Sequence, residues 1–112
     1  MNNCFFVGRL TKDPELRRTG SGTACAMFSI AVDRMPDKDG NKATDFLDCF
    51  AWKTRAETIC KYLHKGDKIC VRASARNNEY TDKEGNKRRK MEFIVNEFEF
   101  CGSPNRQNGQ QS

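Results

Sequence analysis

Apolar residues recur at every second position in several separate stretches of this chain, and that period belongs to strands. From Thr23 to Asp33, Ala24, Ala26, Phe28, Ile30 and Val32 fall on one side, and Cys25, Met27, Ser29 and Ala31 on the other. A strand apolar on both sides suits a closed barrel or an intersubunit contact. The stretch Asp45 to Lys53 alternates differently. Leu47, Cys49 and Ala51 share one side, whereas Phe46, Asp48, Phe50 and Trp52 share the other. A core-facing stripe rarely holds an unpaired carboxylate, so the aromatic side is read as solvent-accessible.

The remaining segments complete an order of elements. Cys4–Leu10 forms a first strand, with Leu16–Thr19 as its extension beyond Pro14 and Gly20-Ser21-Gly22 as a flexible turn. Pro36 and the charged run Asp37–Lys42 read as an exposed hairpin loop. Thr54–Lys65 switches to helical period through Ala56, Ile59, Cys60 and Leu63, and Gly66 supplies a stop. Ile69, Val71, Ala73 and Ala75 then alternate in a fourth strand running towards Tyr80. Glu84-Gly85-Asn86 turns a second charged hairpin, and Met91–Cys101 forms a fifth strand. Five strands with one helix after the third match the all-β Greek-key barrel called the OB-fold, which binds oligonucleotides or oligosaccharides on its exposed sheet and loops; the runner-up, a barrel of SH3 type, has less use for the helix. The barrel is assigned to residues 1–102. Ser103–Ser112 has no apolar residue and is read as a disordered polar tail.

Composition narrows the function classes. A chain of 112 residues has room for one domain, which excludes a two-domain enzyme. Twenty Lys and Arg against fifteen Asp and Glu give a net charge of +5, favouring an anionic partner. There is no apolar run long enough for a membrane span and no basic lead-in at Met1–Phe5, so a soluble, intracellular protein without a membrane role is expected. Cysteines at 4, 25, 49, 60, 70 and 101 form no CxxC pair and read as free thiols, those at 4, 25, 49 and 70 inside short apolar runs. Cys60 and His64 lie four apart on the expected helix, but two further metal ligands at similar spacing are not visible. Gly20-Ser21-Gly22 lacks the Lys and Ser/Thr of a phosphate loop. No catalytic residue, metal or cofactor is assigned.

Binding to a single nucleic-acid strand needs flat side chains for the bases and cations for the phosphates. Phe46, Phe50, Trp52 and Tyr80 supply the first. Arg34, Lys53, Arg55, Arg72, Arg76 and the run Lys87-Arg88-Arg89-Lys90 supply the second. Two readings compete with this one: Phe50 fills a subunit interface, or the basic run is only a solvated hairpin. The whole aromatic face also suits docking on a protein partner, and single-stranded RNA would call on the same chemistry as DNA.

Several stretches in order, Phe6–Arg17, Thr44–Trp52, Ala56-Glu57 with Tyr62–Gly66, and Tyr80–Asn86, make the chain resemble the bacterial and bacteriophage single-stranded DNA-binding protein family over about residues 1–102. The resemblance implies an OB-fold that wraps single-stranded DNA in DNA replication, recombination and repair, without catalysis, in the bacterial cytoplasm or that of an infected host. It implies that Phe46, Trp52 and Tyr80 stack on bases. It further implies a homotetramer, with a homodimer as the alternative, in which the first strand takes part; Cys4, Phe5 and Phe6 fit that role. Many members carry a stacking aromatic between strands two and three, whereas this chain has none from Asp33 to Asp45, where Met35 and Pro36 stand. Larger members end in an acidic tip that recruits replication or repair proteins. Ser103–Ser112 carries one Arg and no acid, so either the tip has been removed or the protein works without it, and such recruitment is not expected of this sequence.

Overall fold

The computed structural model describes residues 1–101, and its strands follow the alternation of the sequence. They are β1 (Cys4–Leu10), β2 (Glu15–Arg18), β3 (Ala24–Asp33), β4 (Thr44–Trp52), β5 (Lys68–Thr81) and β6 (Lys87–Phe100), with one helix, α1 (Thr54–Tyr62), between β4 and β5. Backbone pairing runs β1 to β3, β3 to β4, β4 to β6, β6 to β5 and β5 back to β1, a closed ring in which β4 and β6 are parallel and the other neighbours antiparallel. This is the OB-fold order expected from the elements. The expected tail, Ser103–Ser112, lies outside the described residues. No helix among the described residues is long and apolar enough to cross a membrane.

The ring is filled by the side chains that alternate inward. Ala26, Phe28 and Ile30 of β3 meet Cys49 and Ala51 of β4 and Ile69, Val71 and Ala73 of β5, while Ala56, Ile59 and Leu63 plug it from the helix side. Closure depends on a glycine. A β-carbon on Gly8 would stand 2.6 Å from the Ala31 carbonyl oxygen, so only a bare backbone lets β1 approach β3 while pairing with β5.

Three boundaries differ from the sequence reading. Leu16–Thr19 does not prolong β1; the chain breaks at residues 11–14 and returns as the separate strand β2, which pairs along β3 from Glu15 opposite Met27 to Arg18 opposite Ala24. The helix ends at Tyr62 instead of Lys65, because Leu63 turns extended to bury its side chain in the core. His64 therefore leaves the helix, and Cys60 and His64 share no helical face. Finally, the last strand starts at Lys87 and not Met91. Thr81 pairs with Lys87 across a tight turn, so Asn77–Thr81 and Lys87–Met91 form a two-stranded arm whose side chains are exposed. Within the barrel part of the β5–β6 pairing, a bulge leaves Asn96 as an extra residue between the pairs Arg72–Glu97 and Ala73–Val95, increasing the local twist.

Candidate nucleic-acid interface

The outward side of β4 carries the aromatic stripe. Cys49 and Ala51 are buried, while Phe46 is 67% exposed and Phe50 and Trp52 are half-buried. The register with β3 places Ala31 opposite Phe46, Ser29 opposite Asp48 and Met27 opposite Phe50, so small or flexible neighbours leave the ring faces open. On the other flank Phe50 pairs with Ile94 of β6. Continuing outward, Ser74, Arg76, Asn78 and Tyr80 alternate along the same side of β5, opposite Ile94, Glu92, Lys90 and Arg88. Tyr80, 48% exposed, stands near the end of the arm. A single sheet surface thus holds Phe46, Phe50 and Trp52 at one side and Tyr80 at the other.

The basic residues are divided differently from the sequence reading. Period-two geometry splits the run: Arg88 and Lys90 share the side of Tyr80, whereas Lys87 and Arg89 point to the opposite side of the arm, because all four belong to a strand and not to a loop. Arg34 makes a bidentate contact with Asp45, with 2.8 Å from Nη2 to Oδ1, and its pairing raises its own pKa and lowers that of the carboxyl. Arg72 faces β1, opposite Phe5, and pairs with Glu97 at 3.2 Å while donating to Asn3 Oδ1. Arg76 pairs with Glu92 at 3.3 Å, Arg88 with Asp82 at 2.9 Å, and Lys90 with Asp48 at 2.7 Å. Among the described residues Lys53, Arg55, Lys87 and Arg89 make no ion pair. Lys53 and Arg55 line a hollow with Trp52, Thr58 and Phe98. The turn that brings them there sets Lys53 at φ 61°, a left-handed conformation that costs a residue with a β-carbon about 1–3 kcal/mol.

Acidic groups sit within the aromatic surface. Glu92 is 8% exposed and accepts from Arg76 Nη2 and, at 3.1 Å, from Asn78 Nδ2, so its charge is both paired and hydrogen-bonded. Asp48 lines a shallow groove with Lys12, Met27, Ser29, Phe50 and Lys90. The hydrogen bond to Asp48 holds the Lys90 ammonium above its ordinary pKa, and beneath the groove burial, reinforced by Asp48, pushes the Cys49 thiol up to about 12. All six cysteines are free thiols, and burial also raises Cys25 and Cys60. Such thiols are poor nucleophiles. Among the described residues no cluster of three His, Cys, Asp or Glu is placed to hold a metal.

Lys12, Met27 and Asn78 were not singled out by sequence. Each joins the surface through strand register, and the signal available was their parity on the outward side of β3 and β5 or, for Lys12, the link between β1 and β2. In β1, alternation turns Cys4 and Phe6 against the core, with the Phe6 ring edge-on to Phe93 at 5.1 Å, while Phe5 and Val7 face outward. Of the three residues expected at an intersubunit contact, only Phe5 presents its ring to the outside of this subunit, at 69% exposure.

The model of the single-strand binding protein family matches residues 1–101. The single-stranded DNA-binding protein of Clostridium perfringens is 42% identical over 106 residues, covering 94% of this chain and 69% of that protein. Single-stranded DNA-binding protein 3 of Clostridium acetobutylicum is 40% identical over 108 residues, with 94% and 75% covered. Single-stranded DNA-binding protein 1 of Streptococcus pyogenes is 36% identical over 101 residues, with 89% and 78% covered.

Proposed function

Because this chain belongs to the single-strand binding protein family, we propose that it holds single-stranded DNA by stacking bases on Phe46, Phe50, Trp52 and Tyr80, without catalysis and without reading sequence. The observation that carries this reading is the outward stripe of rings on β4 facing a tyrosine on the neighbouring arm across one continuous sheet surface. Each stacked base contributes roughly 1–3 kcal/mol and is tolerated whatever its identity, since every base has a flat face. Lys53 and Arg55 beside Trp52 supply phosphate contacts without first leaving a carboxylate, and Arg76 keeps spare guanidinium donors while Glu92 fixes its orientation. Arg34, Arg72, Lys87, Arg88, Arg89 and Lys90 add to the field that attracts the strand. Phe5 and Val7 on β1 provide the apolar surface for a homotetramer. The cellular role is protection of unpaired strands in the cytoplasm during replication, recombination and repair.

Trp52 gives the test. Its fluorescence falls on addition of oligo(dT), and affinity declines as salt rises, with a slope of about −0.7 per phosphate contact. Docking of a protein on the same apolar face would depend far less on salt. Unchanged emission and no binding at low salt would falsify the reading.

A further inference from the structure

Acids stand among the cations of the sheet surface between the rings, although the chain as a whole is basic. Asp48 and Glu92 there offset Lys90 and Arg76. The two pairs are built differently. Glu92 is buried and doubly hydrogen-bonded, to Arg76 and to Asn78, so parting it from Arg76 leaves a charge stranded in the protein. Asp48 and Lys90 are both solvated, with side chains 38% and 52% exposed, and Lys90 is the one side-chain partner Asp48 has among the described residues. A solvated single-contact pair contributes little to stability and separates readily.

The position of the pair gives that weakness a consequence. Asp48 stands on β4 between Phe46 and Phe50, and Lys90 stands on β6 opposite Asn78, two residues along from the level of Tyr80. Lys90 reaches from the arm to β4 beyond the point where the β4–β6 backbone pairing begins, at Cys49 opposite Phe93. A strand stacked on Phe46 and Phe50 brings its backbone across this contact. A phosphate has the same charge as the carboxylate and offers the ammonium the same kind of oxygen acceptor.

On the stacking reading above, we infer that the Asp48–Lys90 pair is an exchangeable clasp: the carboxylate occupies Lys90 in the free protein and yields it to a DNA phosphate on binding. Asp48 thereby weakens binding and makes Lys90 available only to a ligand that is already stacked. The buried Glu92–Arg76 pair stays closed throughout and acts as a positioning contact.

The experiment is a binding cycle with oligo(dT) over a series of salt concentrations, using the wild type, Asp48→Asn, Lys90→Gln and the double variant, with Asp48→Ser as a second neutral form. Asp48→Asn and Asp48→Ser each tighten binding, up to about fivefold. Lys90→Gln weakens it and lowers the salt slope by about 0.7. The decisive result is coupling: neutralising Asp48 tightens binding more when residue 90 is Lys than when it is Gln, because only then is a cation released. Equal gains in both backgrounds, or no gain, would mean that Asp48 acts as a distant charge or not at all, and would overturn the clasp while leaving the stacking reading intact. A Lys90→Gln variant with unchanged affinity and slope would overturn it too. If the wild type fails to bind oligo(dT), both readings fall together.

Discussion

The hairpins joining β3 to β4 and β5 to β6 are closed by nearly the same five residues, Asp37-Lys38-Asp39-Gly40-Asn41 and Asp82-Lys83-Glu84-Gly85-Asn86. Their internal bonding matches. In each, the leading Asp Oδ1 accepts from two backbone amides, of Asp39 and Asn41 or of Glu84 and Asn86, and the glycine adopts positive φ. The stems do not match. β5 runs through Thr81 up to its loop, placing Tyr80 in a paired strand opposite Arg88, whereas β3 ends at Asp33 and leaves Met35, two residues before its loop, outside any strand. A common loop therefore sets the turn in both hairpins, and the stem decides which of them presents a fixed ring.

Truncating the two equivalent stem positions gives the largest contrast. Tyr80→Ala weakens oligo(dT) binding by about 1–3 kcal/mol, while Met35→Ala changes it little, as read by Trp52 fluorescence titration. Equal losses would show that the ring is not what separates the hairpins. Supplying the missing ring sharpens the comparison: Met35→Trp strengthens binding by about 1 kcal/mol, less than Tyr80→Ala loses, because residue 35 lacks a paired strand to hold it in place. A gain matching the Tyr80 loss would remove strand pairing as the cause.

Substituting the loop glycines is a smaller perturbation. Gly40 and Gly85 sit at φ 80° and 83° with open space around them, so an added methyl meets a conformational cost and no clash. Gly40→Ala and Gly85→Ala each destabilise their loops by about 1 kcal/mol, seen as faster amide exchange there. Only Gly85→Ala also weakens DNA binding, because only that loop ends an arm bearing Tyr80, the ring proposed to stack. A matching loss of affinity from Gly40→Ala would assign the first hairpin a share in the interface.

The strand periods, the helix and the outward parity of Phe46 and Trp52 were readable because each is set by residues close together in sequence. The two loops were also readable, the first from Pro36 and the charged run Asp37–Lys42 and the second from Glu84-Gly85-Asn86. Register was not. Parity says which side of a strand Asp48 occupies, but the contact with Lys90 depends on how distant strands slide into pairing. The start of β6 was hidden for a related reason: Lys87–Lys90 has weak intrinsic strand preference, and its extension comes from backbone pairing with Asn78–Thr81 across the turn. In β1 both parities are apolar, so alternation alone did not say whether Phe5 or Phe6 faces the core.

Acid separates the two loops least, but it isolates the one bond they do not share. Amide donors hold the Asp37 carboxyl below its ordinary pKa, chiefly the Asn41 backbone; at Asp82 the guanidinium of Arg88 is the leading cause, ahead of the Asn86 backbone. A lowered folded-state pKa contributes stability that is fully present above the unfolded value, about 3.9, and disappears as pH falls through the folded value. Both loops are therefore intact at neutral pH and loosen only under acid. Arg88 gives Asp82 a charged partner that Asp37 lacks, so the Asn41 amide resonance moves at a higher pH than that of Asn86 in a titration followed by NMR. Arg88→Gln removes the added partner and brings the two midpoints together. If Asn86 moves first in the wild type, or the substitution leaves the midpoints apart, the arginine is not what distinguishes the two turns.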